Sequence, residues 1–436
     1  MKRPLAKGSK KLKNAWAFYD WANSVYSLTI SSAIFPIYYA QLFRDQGKDT
    51  VEFLGMTVRD TPLITAVTAA AFVVVSIMSP FLSGIADYVG NKKNFMKFFC
   101  YLGALCCIGL FAFDLESIHL SVLSYFGALV GFWGSLVFYN SYLPDVAYPE
   151  DHDKLSAKGF SLGYIGSVIL LIVNLAMVML VPDDLKMDMM RYSFVLVGVW
   201  WIGFAQYSFY WLPKGNSQTG KIHRKVLGNG FRELKQVYKS LSATPRLKRY
   251  LAAFFVYSMA VQTVMLVATY FGEKEILWPD DDAKTTGLIV SILLIQLVAV
   301  LGATLTARAS EKYGNIKTLI VINLIWVAIC AVAYFITLPV QFYITAGAVG
   351  LVMGGIQALS RSTYSKFLPE TEDTTSYFSF YDVSEKVGLA IGLGIFAYMA
   401  AKMGNMRPAV LFLISFFAIG VILLTRVPKG ETEIQA

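Results

Sequence analysis

The residues of this chain best placed to do chemistry are few, ionisable and set inside apolar runs. AFYDWANSVYSLTIS, at 17–31, spaces Asp20, Asn23, Ser24, Ser27 and Ser31 by threes and fours. That spacing gathers them on one face of a helix whose other faces suit lipid. A carboxyl group there is costly to ionise without a partner or water, so Asp20 is expected to be paired, protonated or open to a cavity. Its functional reading is proton coupling or capture of an amine. A structural ion pair carries equal weight, because at the helical rise Asp20 lies only roughly 9 Å inside the apolar run. FSFYDVSEKVG, at 378–388, places Asp382, Glu385 and Lys386 close together on one helical face. Asp382 can pair with Lys386 at i,i+4, which leaves Glu385 to find Arg361. Such a cluster can bind a zwitterion or relay protons, or it can neutralise itself and lock helices together; intramembrane ionisable groups favour the first. Gln262, Gln296 and Gln357 can orient a ligand, although joining two helices is the weightier reading for each.

These groups need a helical scaffold in lipid. Of 436 residues, 56% are hydrophobic and 15% charged, too little polar surface to coat a water-soluble globule. Apolar runs long enough to cross a hydrocarbon core recur near 14–42, 62–86, 94–114, 118–142, 157–181, 191–213, 250–272, 286–309, 317–337, 341–366, 376–402 and 408–427. The net charge of +9 does not call for nucleic acid. With the N-terminus inside, 28 of the 38 Lys and Arg fall on the cytoplasmic side, 9 on the other, and Lys386 within a span, which is the positive-inside asymmetry. Lys2, Arg3, Lys7, Lys10, Lys11 and Lys13 hold that end inside, and the first apolar run exceeds a signal-peptide core. Trp16, Trp211 and Trp278 sit near span ends and suit membrane interfaces, whereas Trp21 beside Asp20 suits a cavity. Cys100, Cys106, Cys107 and Cys330 lie in apolar spans without metal-ligand spacing. No phosphate-binding loop and no paired histidine ligands are present, so neither ATP-driven transport nor metal catalysis is expected. No cofactor is expected.

Residues 214–249 form one long polar segment with ten Lys and Arg and divide the chain into an N-terminal bundle at 1–213, a basic linker, and a C-terminal bundle at 250–436. Phe231, Leu234, Val237, Tyr238 and Leu241 share one helical face, so this stretch can lie on the inner membrane surface, although a tether between halves is the stronger reading. An internal repeat supports the division. GIADYVGNKK at 84–93 answers RASEKYGNIK at 308–317, matching Asp87 to Glu311 and Gly90 to Gly314. YNSYLPD at 139–145 answers YSKFLPE at 364–370 at nearly the same offset. Transporters are commonly built from such repeats. GIADYVGNKK is a tight inner turn with Gly90 free to take positive φ, and Lys92 and Lys93 anchor it inside.

Several stretches together resemble the autophagy-related vacuolar amino-acid effluxers and their bacterial relatives, a branch of the major facilitator superfamily. They are YDWANSVYSLTISSAIFPIYY at 19–39, YNSYLPDVA at 139–147, KGFSLGYIGS at 158–167 and GGIQALSRSTYSKFLPE at 354–370. The turn at 84–93 resembles the superfamily's loop signature, which implies gating by Asp87, Gly90, Lys92 and Lys93 and, in the repeat, by Glu311 and Gly314. Tyr88 and Asn91 replace two basic residues of that signature, so Lys92 or Lys93 would have to supply the latch cations. The resemblance singles out Asp20, Trp21, Asn23 and Pro36. It implies an all-α membrane protein of twelve transmembrane helices in two six-helix bundles, the major facilitator fold, with both termini cytoplasmic. The expected function is secondary active transport of a small polar solute by alternating access, with amino-acid export and proton coupling as its finer form. The expected setting is an inner cell membrane or a vacuolar-type one. The expected partners are lipid, a small-molecule substrate and protons, with the chain acting as a monomer. A receptor or scaffold that kept the fold without transporting is the alternative.

Overall fold

The computed structural model describes residues 5–214 and 226–429; the tail cations Lys2 and Arg3 and the linker cations Lys221, Arg224 and Lys225 lie outside them. The described chain is nearly all helical. In order it forms α1 (Lys10–Tyr26), a π-helical turn (Ser27–Ala33), α2 (Ile34–Asp45), β1 (Thr50–Phe53), β2 (Met56–Arg59), α3 (Asp60–Val89), α4 (Lys92–Gly109), α5 (Ile118–Ser141) and α6 (Leu143–Val146). There follow α7 (His152–Met179), α8 (Lys186–Trp211), α9 (Val226–Ala243), α10 (Pro245–Glu275), α11 (Asp281–Tyr313), α12 (Asn315–Ala333), α13 (Pro339–Lys366), α14 (Thr374–Met403) and α15 (Arg407–Thr425). Among the described residues, ten helical segments are long and apolar enough to cross a membrane. The α1 to α2 segment and α8 occupy the places expected of the first and sixth spans.

Local chemistry sets the helix ends. Pro245 and Pro339 open α10 and α13, where a missing N–H costs nothing. Asp280 caps α11 by accepting from the Ala283 N–H at 2.7 Å. The repeat-related glycines both serve as turns that other residues would strain: Gly90 ends α3 at φ 67° and Gly314 ends α11 at φ 86°. Between α2 and α3, where the sequence suggests only a loop, Thr50–Arg59 folds into an antiparallel hairpin. Its strands are short and β-branched, and they turn at Leu54 and Gly55.

The first span is not the continuous helix expected. Pro36 lacks an N–H, and its ring crowds the carbonyl four residues earlier, so the ladder widens just before it into the π turn. Serine hydroxyls stabilise the break: Ser27 donates to the Ser24 carbonyl at 3.2 Å and Ser32 to the Ser27 carbonyl at 3.0 Å.

The chain divides into two compact units, residues 1–142 with 162–230 and residues 143–161 with 231–436. Helix α7 begins in the second unit and ends in the first. In the first unit α4 packs on α5 and α8, α1 on α8, and α3 on α5. In the second, α11 packs on α13, α10 on α14 and α15, and α12 on α13 and α15. Small residues make these approaches possible. A Cβ on Gly302 of α11 would lie 1.9 Å from the Leu351 carbonyl oxygen of α13.

Helix α9 buries Val237 and Leu241, and Ser240 meets the Tyr377 hydroxyl at the start of α14. Tyr238 of the same face is exposed, and the side chains of Phe231 and Leu234 lie outside the described residues. Trp16, expected at the lipid interface, is fully buried. Its Nε1 donates to the Tyr139 carbonyl at 2.9 Å, and its ring stacks on that of Tyr139.

Candidate functional site

In the first unit the polar stripe of span 1 is graded from buried to open. Asp20 and Asn23 are buried, Ser24 and Ser27 half-buried, and Ser31 exposed. Asp20 Oδ2 accepts the Tyr139 hydroxyl at 2.8 Å. Asn23 Oδ1 receives the Ser24 hydroxyl at 3.4 Å, while its Nδ2 has no partner among the described residues. Trp21 stacks on Trp200, and its carbonyl accepts the Trp200 Nε1–H at 3.1 Å. Close contact with α7 shapes this stretch: a Cβ on Gly163 would meet Ser24 Oγ at 2.4 Å, and one on Gly166 the Trp21 carbonyl at 3.0 Å. The glycines of KGFSLGYIGS thus act as a seat for span 1.

Of the gating residues in this unit, Asp87 is half-buried in the last turn of α3 beside Gly90. Lys92 and Lys93 are both buried. Lys92 Nζ donates to the Ser141 carbonyl at 3.0 Å, and Lys93 Nζ donates to the Leu212 carbonyl at 2.7 Å. Each ammonium therefore satisfies a carbonyl at the C-terminal end of α5 or α8, where helix dipoles favour a cation. In this structure both fasten helices within the first unit.

In the second unit α14 carries the ionisable cluster. Asp382 and Lys386 form an ion pair one turn apart, with side chains 5% and 1% exposed. Glu385 accepts from Gln262 Nε2 of α10 at 2.6 Å, so the structure gives Glu385 an amide partner in place of the expected Arg361. Gln357 Nε2 donates to the Met265 sulfur at 3.6 Å. Around the cluster lies an aromatic wall in which Phe254 stacks on Tyr381 and the Tyr257 hydroxyl meets Ser360 Oγ at 2.7 Å. A paired acid and base with a second carboxyl, held in an apolar bundle, supply opposite charges to any zwitterion that reaches them.

Arg361 belongs instead to an inner network. Its Nε donates to Ser156 Oγ at 2.9 Å and its Nη2 to the Ser156 carbonyl at 3.1 Å, while the guanidinium lies over the Phe160 ring. One turn away, buried Asp153 takes three bonds. Its Oδ2 accepts Lys366 Nζ at 2.6 Å and Ser310 Oγ at 2.8 Å, and its Oδ1 accepts Asn315 Nδ2 at 2.9 Å. Glu311 bridges to Lys154 at 2.7 Å near the surface, where solvent screens the pair. Gly314 lies beside Asn315, so the second copy of the repeated turn joins this network directly. Sequence reasoning passed over Asp153, Ser156 and Lys366. PEDHDK at 149–154 reads as a charged inner loop, and only the fold shows that its last acid is buried at the start of α7.

The family described as vacuole effluxer Atg22 like matches residues 8–435. The uncharacterized MFS-type transporter YxiO of Bacillus subtilis (strain 168) is 31% identical over 431 residues, covering 96% of this chain and 95% of that protein. Autophagy-related protein 22-1 of Penicillium rubens is 22% identical over 494 residues, with 91% and 80% covered. Among solved structures, the E. coli fucose:proton symporter FucP superimposes with a TM-score of 0.70 at 16% identity, covering 96% of this chain and 98% of that one. The proton:xylose symporter XylE, bound to 6-bromo-6-deoxy-D-glucose, gives 0.69 at 11% identity, with 96% and 95% covered. The fold is that of the major facilitator transporters.

Proposed function

This chain belongs to the Atg22-like vacuole effluxer family of secondary transporters, and from that premise we propose that its solute is an amino acid or a similar small polar metabolite, exported by alternating access and coupled to protons. The observation that carries the reading is the cluster on α14. Asp382, Lys386 and Glu385 offer one cationic and two anionic groups within about one helical turn, the charge pattern that a zwitterion needs. The Gln262 amide on Glu385 holds one carboxyl in place without neutralising it, which leaves that carboxyl able to take a proton or an ammonium group. Asp20, hydrogen-bonded by Tyr139, is the second candidate for proton coupling, with Asn23, Gln357 and Arg361 as supporting polar groups.

Gating is assigned to the paired turns, Asp87 to Lys93 and Glu311 to Gly314, with the Asp153 network added to the second. The bundles at 1–213 and 250–436 are the moving halves, and 214–249 is their basic tether. The protein acts as a monomer in the inner cell membrane, the setting that the Bacillus relative supports, with both termini cytoplasmic. Proteoliposomes holding the purified protein, tested against a panel of amino acids with and without a pH gradient, decide the matter. Flux of at least one amino acid, enhanced by the gradient and lost in Lys386→Ala, is expected. No flux for any member overturns the amino-acid reading, and binding without flux points to a receptor that kept the fold.

A further inference from the structure

The hairpin between the first and second spans has two chemically distinct faces. Directly opposed residues of an antiparallel pair point to the same side, and the sides alternate along each strand. The register pairs Val51 with Val58 and Phe53 with Met56 and, in alternation with them, Thr50 with Arg59 and Glu52 with Thr57. One face is therefore wholly apolar and the other wholly polar. The two charged side chains of the hairpin, Glu52 and Arg59, both lie on the polar one.

Both ends of the hairpin are held where spans end. At the base, the Asp60 N–H donates to the Asp49 carbonyl at 3.2 Å, and the Asp60 carbonyl accepts the Tyr39 hydroxyl of α2 at 2.8 Å. At the tip, the Leu54 N–H donates to His119 Nε2 at 3.3 Å, and Phe53 stacks on the His119 ring in the first turn of α5. Anchored at both levels, the hairpin runs along the membrane surface instead of projecting from it. Protein covers its apolar face only in part: Val51, Phe53 and Val58 are half-buried, but Met56 is 61% exposed and Leu54, at the turn, 70%. Leu54 also stands at φ 51°, the one non-glycine residue in the left-handed region among the described residues, in a two-residue turn that favours asparagine or glycine. A polar residue would suit both water and that backbone better. Next to His119, α5 exposes Leu120 and, one turn later, Leu123, so the uncovered tip sits at the level where that span's own exposed apolar surface begins. Depth is bounded as well. A two-stranded hairpin keeps unpaired N–H and C=O groups along its outer edges, which hydrocarbon does not tolerate, so its place is the boundary between headgroups and acyl chains.

We propose that this hairpin is an interfacial membrane anchor, whose Leu54 and Met56 rest among phospholipids of the leaflet opposite the N-terminus while Glu52, Thr57 and Arg59 face water. The lipid is held by apolar contact and not by headgroup charge, because no charged side chain of the hairpin lies on the contacting face. The anchor ties the loop between spans 1 and 2 to the bilayer. It is independent of the solute that the protein carries.

The test places a bimane label on the full chain at Leu54→Cys, Met56→Cys, Glu52→Cys or Thr57→Cys, one at a time, in phosphatidylcholine nanodiscs. Cys100, Cys107 and Cys330 are buried; Cys106, half-buried, is replaced by serine, and that parent serves as the blank. Labels at 54 and 56 should lose most of their emission to doxyl-bearing lipid and little to iodide, and labels at 52 and 57 the reverse. Iodide reaching all four alike overturns the anchor, as does lipid quenching of all four alike, which would deny the hairpin two faces. Quenching of 54 and 56 by neither agent also overturns it, since protein would then cover them. Leu54→Asn suits the turn better and should melt no lower than wild type in micelles, yet in nanodiscs it should move the label at Met56→Cys from lipid toward iodide. An unmoved label overturns the part given to Leu54.

Discussion

Replacing Asp153 with Asn probes the inner network at its centre, and the structure sets the size of the effect. The Asp153 side chain is 1% exposed, and its two oxygens have distinct duties. Oδ1 accepts Asn315, which an amide oxygen could still do; Oδ2 accepts both Lys366 and Ser310, which an amide nitrogen could not. The variant therefore loses one charge-assisted bond, of about 1.5–3 kcal/mol, and one hydroxyl bond of about 1 kcal/mol. Part of this is recovered. Ser310 can turn its one hydroxyl hydrogen to the Ala307 carbonyl, 2.9 Å away, Lys366 still reaches Asn315 Oδ1 at 3.2 Å, and the Lys366 side chain keeps 21% of its surface in contact with solvent. A net loss of about 2–3 kcal/mol remains, roughly 30- to 150-fold in the equilibrium that forms the network. The measurement is a double-mutant cycle of Asp153→Asn and Lys366→Met, using unfolding free energies in mixed micelles. The pair should couple by at least about 1 kcal/mol. Additivity to within about 0.5 kcal/mol would refute the claim that these two residues act as one unit.

Lys386→Met should cost about 3–5 kcal/mol, because it strands the Asp382 carboxylate in the bundle, whereas Asp382→Asn with Lys386→Met should recover most of that stability. Melting of the two purified proteins checks it, and a double variant no more stable than the single one would show that the pair is not the reason for the loss. Gly302→Ala must push α11 from α13 and should destabilise by about 1–3 kcal/mol. Gly347→Ala on α13, with nothing within 4 Å of the new carbon, should gain about 0.5–1 kcal/mol from helix propensity; melts that shift in the same direction would contradict the packing. Gln262→Leu removes the donor on Glu385 and should displace the pH profile of proteoliposome flux while expression and melting change little. An unmoved profile would take Glu385 out of the coupling role.

The sequence alone determined the solvent of this chain, its helical architecture and its duplicated plan, because lipid leaves a spanning segment few choices. Every backbone polar group must be bonded within the segment, so a run of about 20 apolar residues has to be a helix. The i,i+4 spacing of Asp382 and Lys386 is likewise local geometry, as is the need for glycine at 90 and 314, where the backbone turns through positive φ. Long-range packing decided the rest. Arg361 went to Ser156 and Glu385 to Gln262 because distant helices brought those partners within reach, and no spacing in the sequence encodes that choice. Asp153 looks like any loop acid until α11 and α13 close over it. Trp16, placed by composition at the membrane interface, stacks instead on a tyrosine 123 residues away. The π turn lies between these cases. Pro36 and the serines before it are visible in the sequence, but only the fold shows that the helix yields there by widening into a π turn.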